Sequence, residues 1–242
     1  MLYTSVENKK IKEIKKLNQK KYRDLNNEFK IEGEHLVLEA YKSGYLKTLI
    51  IEENQNFKLD IDTIEVTDNI IKYLSEVETP QKIMGICHKL SEKENLGRKI
   101  LILDDIQDPG NLGTIIRSAI AFHIDTIILS ENTVDIYNDK VIRSSQGMIF
   151  HINILRKNIE NIIDTLKKHN YKILGTKVNG GKSLKGLEKL SDFAIIMGNE
   201  GNGVKSQILD KCDDYIYIEM NDTCESLNVA VATSIILYEL DK

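Results

Sequence analysis

The chain has 242 residues, 41% of them hydrophobic and 29% charged, with a formal net charge of −4. That is an ordinary soluble globular composition, long enough for one large domain or two small ones, and it excludes a low-complexity chain. Charges break every apolar run before the roughly 18 residues that span a bilayer, and the start, "MLYTSVENKKIKEIKK", lacks the apolar centre of a signal peptide. A cytoplasmic protein without a membrane partner is expected. Cys87, Cys212 and Cys224 form no C-x-x-C pair, so neither a metal site nor a disulfide framework is indicated.

Taken in order, residues 1–30 read as helical. Apolar positions fall three and four apart, and Ile11, Ile14 and Leu17 form the buried stripe. The same stretch holds nine Lys/Arg against four Asp/Glu, a basic arm able to reach phosphates. "GEHLVLEAYKSG" predicts a short helix closed by Gly44. "LKTLIIEE", "IDTIEVT" and "KIMGICHKL" predict strands, with a helix at "DNIIKYLSE". The result is a small mixed α/β unit over 1–90. The polar "SEKENLGRK" places a linker at 91–98. From 99 to 242, strands alternate with helices. The strands are "KILILD", "DTIILS", "MIFHINIL", "YKILGT", "FAIIMG" and "DYIYIEM". The helices fall near 112–122, 134–145, 157–169, 204–211 and 226–240. Continuous apolar strands in that alternation predict an α/β fold with a parallel sheet covered on both faces.

Three strand-to-helix junctions carry unusual loops. In "DDIQDPGNLGTIIRSAIAF", either Asp108 or Asn111 is placed to cap the helix. Gly110 and Gly113 allow close backbone approach, and Arg117 falls one to two turns in, where its forked donors can reach a phosphate. In "IIMGNEGNGV" the glycines run in the reverse order of the dinucleotide fingerprint, and no G-K-[ST] is present. Glu200 inside that loop disfavours phosphate. It suits a cationic or hydroxyl-bearing ligand, or an arginine partner. In "IEMNDTCESLNVAVATSIILYEL", Ser226 is placed to cap the last helix and Asn228 falls in its first turn. The small, apolar "VAVATSIIL" allows tight packing, including against a second subunit.

Together these junctions resemble the SpoU (TrmH) family of RNA 2′-O-ribose methyltransferases, of the SPOUT class. The family's N-x-G-x-x-x-R matches Asn111, Gly113 and Arg117. Its G-N-E-G-x-G matches Gly198 to Gly203, and its E-S-L-N-V matches Glu225 to Val229. "VIRSSQGMIFHI" is similar to the family's middle stretch. The resemblance covers residues 99–242 strongly. Residues 20–90 look more weakly like the family's ribosomal-protein-like substrate-binding domain, whose T-P-Q-G ending departs here at Lys82.

The resemblance implies a C-terminal trefoil knot gathering the second and third junctions around one pocket. It implies S-adenosyl-L-methionine there, held by Thr176, Met197, Gly198, Ile218, Met220 and Leu227. The implied reaction moves a methyl group to a ribose 2′-hydroxyl. Arg117 would activate that hydroxyl, either as base or by positioning phosphate and stabilising a developing alkoxide. Asn111, Ser226 and Asn228 would orient the ribose and Arg117, and Glu200 the arginine or substrate. Cys224 lies beside the site with no role. The family's sites draw on both subunits of a homodimer. For RNA contact the candidates are Lys15, Lys16, Lys20, Lys21 and Arg23 of the basic arm, and Arg143. Ribosomal RNA is the expected substrate. The alternatives are a tRNA 2′-O-methyltransferase, a non-catalytic RNA-binding or assembly factor of the same fold, and a small-molecule enzyme.

Overall fold

The computed structural model describes residues 2–187 and 190–241. In chain order the first elements are β1 (Leu2–Tyr3), α1 (Lys9–Lys16), α2 (Lys20–Asn26), β2 (Glu28–Glu32), α3 (Glu34–Lys42), β3 (Leu46–Glu52), β4 (Thr63–Val66), α4 (Asp68–Leu74) and β5 (Ile83–His88). There follow β6 (Lys99–Leu103), α5 (Pro109–Ala121), β7 (Thr126–Leu129), α6 (Asp139–Ser145), a 3-10 turn (Met148–His151), β8 (Asn153–Arg156) and α7 (Ile159–Lys168). The chain continues through β9 (Lys172–Thr176), β10 (Lys182–Ser183), β11 (Phe193–Met197), α8 (Ser206–Leu209), β12 (Asp214–Tyr217) and α9 (Val229–Leu240).

The chain forms two compact units. One comprises the chain up to Leu90 together with Asp135–His151. The other comprises Ser91–Val134 and the chain from Ile152 onward. The segment 135–151, which the sequence division leaves in the second half, packs with the first unit.

In the first unit the sheet order is β1-β4-β3-β5-β2. Its opening residues are not one helix. Asn27 adopts a left-handed conformation (φ 55°) that ends α2, and "EFKIE" then pairs antiparallel with β5, Phe29 opposite Cys87. Tertiary pairing overrides the helical spacing, because Phe29 and Ile31 are buried only as strand residues. The stripe Ile11, Ile14, Leu17 does pack as its spacing predicts. It meets Ile50, Ile64, Val66, Ile70, Ile71 and Leu74.

In the second unit the sheet order is β10-β12-β9-β11-β6-β7-β8, and every pairing is parallel. Ile100 and Ile102 of β6, with Ala194 and Ile196 of β11, face Ile159, Ile163 and Leu166 of α7 and Ile208 of α8. By the two-residue period of a strand, Leu101 and Leu103 turn to the opposite face. There α5 and α9 pack together, with Ser118 Oγ and Ser234 Oγ 2.7 Å apart and the rings of Phe122 and Tyr238 edge to face at 5.8 Å.

Two strands are shorter than their apolar runs. "MIFHINIL" is a strand only from Asn153, because Gln146 (φ 51°) and Gly147 (φ 83°) turn the chain before the 3-10 turn. "DYIYIEM" pairs only to Tyr217, and Ile218 to Met220 leave the sheet. The last helix starts at Val229 with Asn228 as its cap, not at Ser226. Asn228 is therefore in the one position near a helix start that favours asparagine.

Candidate active site

The three loops meet outside the carboxyl ends of β6, β11 and β12. In the first, Asp108 caps α5 by accepting the Asn111 N–H at 2.9 Å, with Pro109 behind it. In the second, Asn199 and Gly203 exchange backbone hydrogen bonds of 3.0 and 2.9 Å. Asn199 Oδ1 accepts the N–H groups of Gly201 (3.0 Å) and Asn202 (3.1 Å). Its Nδ2 donates to the Asp105 carbonyl at 2.8 Å, which ties the second loop to the first. Gly198 is obligatory: a Cβ there would lie 2.0 Å from the Gly203 carbonyl carbon and 2.1 Å from the Val204 nitrogen. Backbone cannot yield by that much.

This folding aims Glu200 at the start of α5. Its carboxylate accepts the N–H of Asp108 (3.0 Å), the N–H of Gln107 (3.1 Å) and Nδ2 of Asn111 (3.1 Å). The site is an anion seat at a helix N-terminus, and Glu200 fills it. The expected partner of this carboxylate is a cation, a hydroxyl or an arginine; the observed partners are N–H groups. Burial pushes the Glu200 pKa up, but the Asn111 bond and the backbone donors outweigh it and hold the group below the usual glutamate value. Glu200 is thus a fixed anion and a poor base at neutral pH.

From Glu200 a chain of amides runs to the third loop. Asn228 Oδ1 accepts the N–H groups of Ala230 (2.9 Å) and Val231 (3.3 Å), capping α9. Its Nδ2 donates to Asn111 Oδ1 at 2.9 Å, and Asn111 Nδ2 donates to Glu200. The two ends set every orientation between them. Helix N–H groups can only donate and a carboxylate can only accept, so neither amide can flip without breaking two bonds. Asn111, Glu200 and Asn228 are therefore one unit. Ser226 lies on the wall of the adjoining pocket. Arg117 stands on the exposed face of α5, with no ion pair or hydrogen bond to any described residue.

Beside the chain is a cavity of about 450 Å³. Thr176, Met197, Gly198, Ile218, Met220 and Leu227 all line it. So do residues the sequence reading missed: Val178, Asn179 and Tyr217, and Val229, Ala232 and Ile236 of α9. The last three are three and four residues apart, a stripe legible in the sequence had the helix been aimed at the pocket. Size and mixed lining suit a nucleoside with a short polar tail: apolar side chains for a base, with Gly198 and Ile218 on the wall beside it.

The RNA-contact candidates lie in the first unit. Lys15 donates to the Ser75 carbonyl at 3.4 Å, Lys16 pairs with Glu13 (2.8 Å) and Lys20 with Asp24 (2.7 Å). Lys21 is exposed, 5.8 Å from the Tyr22 ring. Arg143 pairs with Asp139 on its own helix. Arg23 is buried, bonded to the carbonyls of Leu17 and Asn18 and paired with Asp135 at 2.8 Å. That places its charge inside the unit. Among the described residues no cluster of His, Cys, Asp or Glu is arranged for a metal, and no helix is long and apolar enough to cross a membrane.

The pocket and amide chain at the carboxyl ends of a parallel α/β sheet fit a methyltransferase of the SPOUT class, and comparison with known proteins assigns the chain to it. The chain belongs to the SpoU rRNA methylase family, whose model matches residues 98–238. An MRM3-like substrate binding domain matches residues 8–85. The chain is 41% identical over 241 residues to the 23S rRNA (guanosine(2553)-2′-O)-methyltransferase RlmP of Bacillus subtilis (strain 168), covering 98% of this chain and 97% of that one. It resembles two crystal structures of an rRNA methyltransferase from Sinorhizobium meliloti. One is 29% identical with a TM-score of 0.88, covering 99% of this chain and 96% of that one. The other has AdoMet bound and is 30% identical, also with a TM-score of 0.88, covering 99% and 97%.

Proposed function

We propose that the protein methylates a ribose 2′-hydroxyl in ribosomal RNA with S-adenosyl-L-methionine as donor, and that its target is a guanosine of 23S rRNA, as in the B. subtilis relative. The observation that carries the reading is the Asn228–Asn111–Glu200 chain. It joins all three family motifs at the rim of a nucleoside-sized cavity. S-adenosylmethionine supplies a methyl group on a sulfonium, already electrophilic. Thr176, Met197, Gly198, Ile218, Met220 and Leu227 would hold it.

What this chain must supply is a nucleophile in line with that methyl. Glu200 is unsuited to take the hydroxyl proton, because its oxygens are engaged and its pKa is depressed. Its role is to fix Asn111, and through it Asn228, at the pocket rim. Arg117 makes no ion pair or hydrogen bond with any described residue. It lies six residues and about 9 Å along α5 from Asn111. An arginine that stays protonated serves by fixing a phosphate and stabilising the alkoxide as it develops, while the proton leaves to water or phosphate. Ser226 would steady the ribose.

Three further features belong to this reading. Lys15, Lys16, Lys20 and Lys21 would draw the RNA by its phosphates. A second copy would pack on α9, where Val231, Ile235 and Tyr238 are 48%, 39% and 60% exposed on one stripe. The eleven residues between β12 and α9 pass from near one sheet edge to α5, beyond β9 and β11, which supports threading into a trefoil knot. The site of action would be the cytoplasm, where ribosomal RNA is made in a bacterial cell.

The test is transfer of radiolabel from S-adenosylmethionine to unmodified 23S rRNA and, in parallel, tRNA, mapped by alkali resistance of the modified linkage. Label at one guanosine of 23S rRNA, reduced about 100-fold or more in Arg117→Ala, is the expected result. Label in tRNA alone would overturn the substrate, and failure to bind the cofactor would overturn the reading.

A further inference from the structure

In an open α/β sheet, ligands sit in the crevice where the strand order reverses. Here β6 is followed outward by β7 and β8, while β11 and β9 lie on its other side, so the reversal falls between β6 and β11. The crevice there holds a cavity of about 270 Å³ whose floor carries Asp104, Asp105, Ser130 and Lys205. Asp104, at the end of β6, is only 1% exposed. Its Oδ2 accepts the Lys205 N–H at 3.0 Å, and its Oδ1 lies 3.1 Å from Lys205 Nζ. The same Nζ donates to Asp105 Oδ2 at 2.6 Å. Asp105 is held from behind by Ser130, whose Oγ donates to Oδ1 at 2.6 Å and accepts the Asp105 N–H at 2.9 Å. One ammonium thus hydrogen-bonds one carboxylate and lies at ion-pair distance from a second, buried one, whose Oδ1 has no hydrogen-bond partner among the described residues.

A buried carboxylate is costly unless it is paired, and removing its partner is worse than never having buried it. Lys205 is the cation the structure pairs with Asp104. It stands at the far end of the loop whose near end is Gly198 and whose tip is Glu200, while Asp104 and Asp105 stand on the loop that leads into α5. We propose that Lys205 is a positioning residue for methyl transfer: bound between Asp104 and Asp105, it fastens the 198–205 loop to the 104–108 loop. In doing so it fixes both the cofactor wall and the seat of Glu200. This rests on the reading above for the reaction, but not for the clamp.

The experiment compares Lys205→Met, Lys205→Arg and the double variant Asp104→Asn with Lys205→Met. Lys205 is half exposed, so these chains are expected to fold. Amide exchange at Gly201 and Asn202, whose N–H groups bond Asn199, should quicken about tenfold in Lys205→Met and return toward wild type in Lys205→Arg. The KM for S-adenosylmethionine should rise about tenfold, with the KM for RNA within about twofold. In the double variant the melting temperature should recover, because no bare charge stays buried, while the loop stays fast. Unchanged exchange in Lys205→Met overturns the clamp, and so does a double variant in which loop and cofactor KM both recover. If the wild-type protein binds no S-adenosylmethionine, the methyltransferase reading fails and the exchange measurement still decides the clamp.

Discussion

At the scale of single residues, Asn228 does two things that can be separated. Its Oδ1 caps α9 and its Nδ2 holds Asn111. Serine keeps an oxygen for the cap and has no amide to hold Asn111. Asn228→Ser should therefore melt close to wild type and lose most methyl transfer, whereas Asn228→Ala should also lose about 1 kcal/mol of stability. Thermal melts and initial rates on the two proteins check this; equal melting with equal activity would mean the amide chain is idle. Lys30 makes a different point. Its ammonium is buried in β2, donating to the Leu74 carbonyl, near Glu32, which is itself bonded to Ser75 (2.9 Å) and the Gln81 N–H (2.8 Å). Burial lowers its pKa from 10.5 to about 8, against the raising effect of Glu76 and Glu32. Between those two values the unfolded chain binds a proton that the folded chain has released. Stability on this account therefore rises as pH climbs from about 8 toward 10.5, and below 8 the protonated group imposes its full cost, on the order of 3 kcal/mol. Denaturant melts of wild type and Lys30→Met at several pH values should show the wild type gaining on the variant as pH rises through that window; a constant difference would remove Lys30 from the account.

At the scale of elements, the parallel strands of the second unit were legible because both their faces are buried. Runs such as "KILIL" and "FAIIM" have no other reading beside alternating helices. The first unit was less so. "EFKIE" is a strand because β5 pairs with it, a contact no local spacing announces. The boundary of α9 was misread because both Ser226 and Asn228 can cap, and only the structure shows Asn228 with its oxygen on Ala230 and Val231. In the site, the motif residues were legible as types, but not what joins them. That Glu200 seats on the start of α5 depends on how sharply the loop after β11 doubles back, and so on Gly198. Gly198→Ala puts a methyl group about 2 Å from the Gly203 backbone, where no rotamer relieves it. The loop must open, and with it go the cofactor wall and the Glu200 seat. Calorimetry should find no binding of S-adenosylmethionine to this variant, in a protein that still shows a cooperative melt from the sheet below. Binding at wild-type affinity would mean that the wall lies elsewhere.

At the scale of the whole molecule, the α9 stripe and the free Arg117 make a single argument. Val231, Ile235 and Tyr238 are four and three residues apart, so their exposed surfaces form one strip along the helix. On α5, which packs beside α9, the exposed positions Thr114, Arg117 and Ala121 are three and four apart and form a second strip. A stable dimer buries about 800 Å² on each partner, more than one helix stripe supplies, so both strips are needed. Arg117 would then lie at the edge of the subunit contact, and the arginine serving a pocket could come from the neighbouring copy. Ile235→Glu puts a charge in the middle of the first strip without touching the pocket lining. Sedimentation at micromolar concentrations should show the wild type as a dimer and the variant as a monomer, with S-adenosylmethionine still bound and methyl transfer lost. Mixing it with Arg117→Ala would not restore activity, whereas mixing Arg117→Ala with Asn228→Ser would restore a fraction if the two residues of one site come from different copies. Dimeric Ile235→Glu would return the stripe to the role of bare surface, and a wild type that is active as a monomer would place Arg117 and its pocket on the same chain.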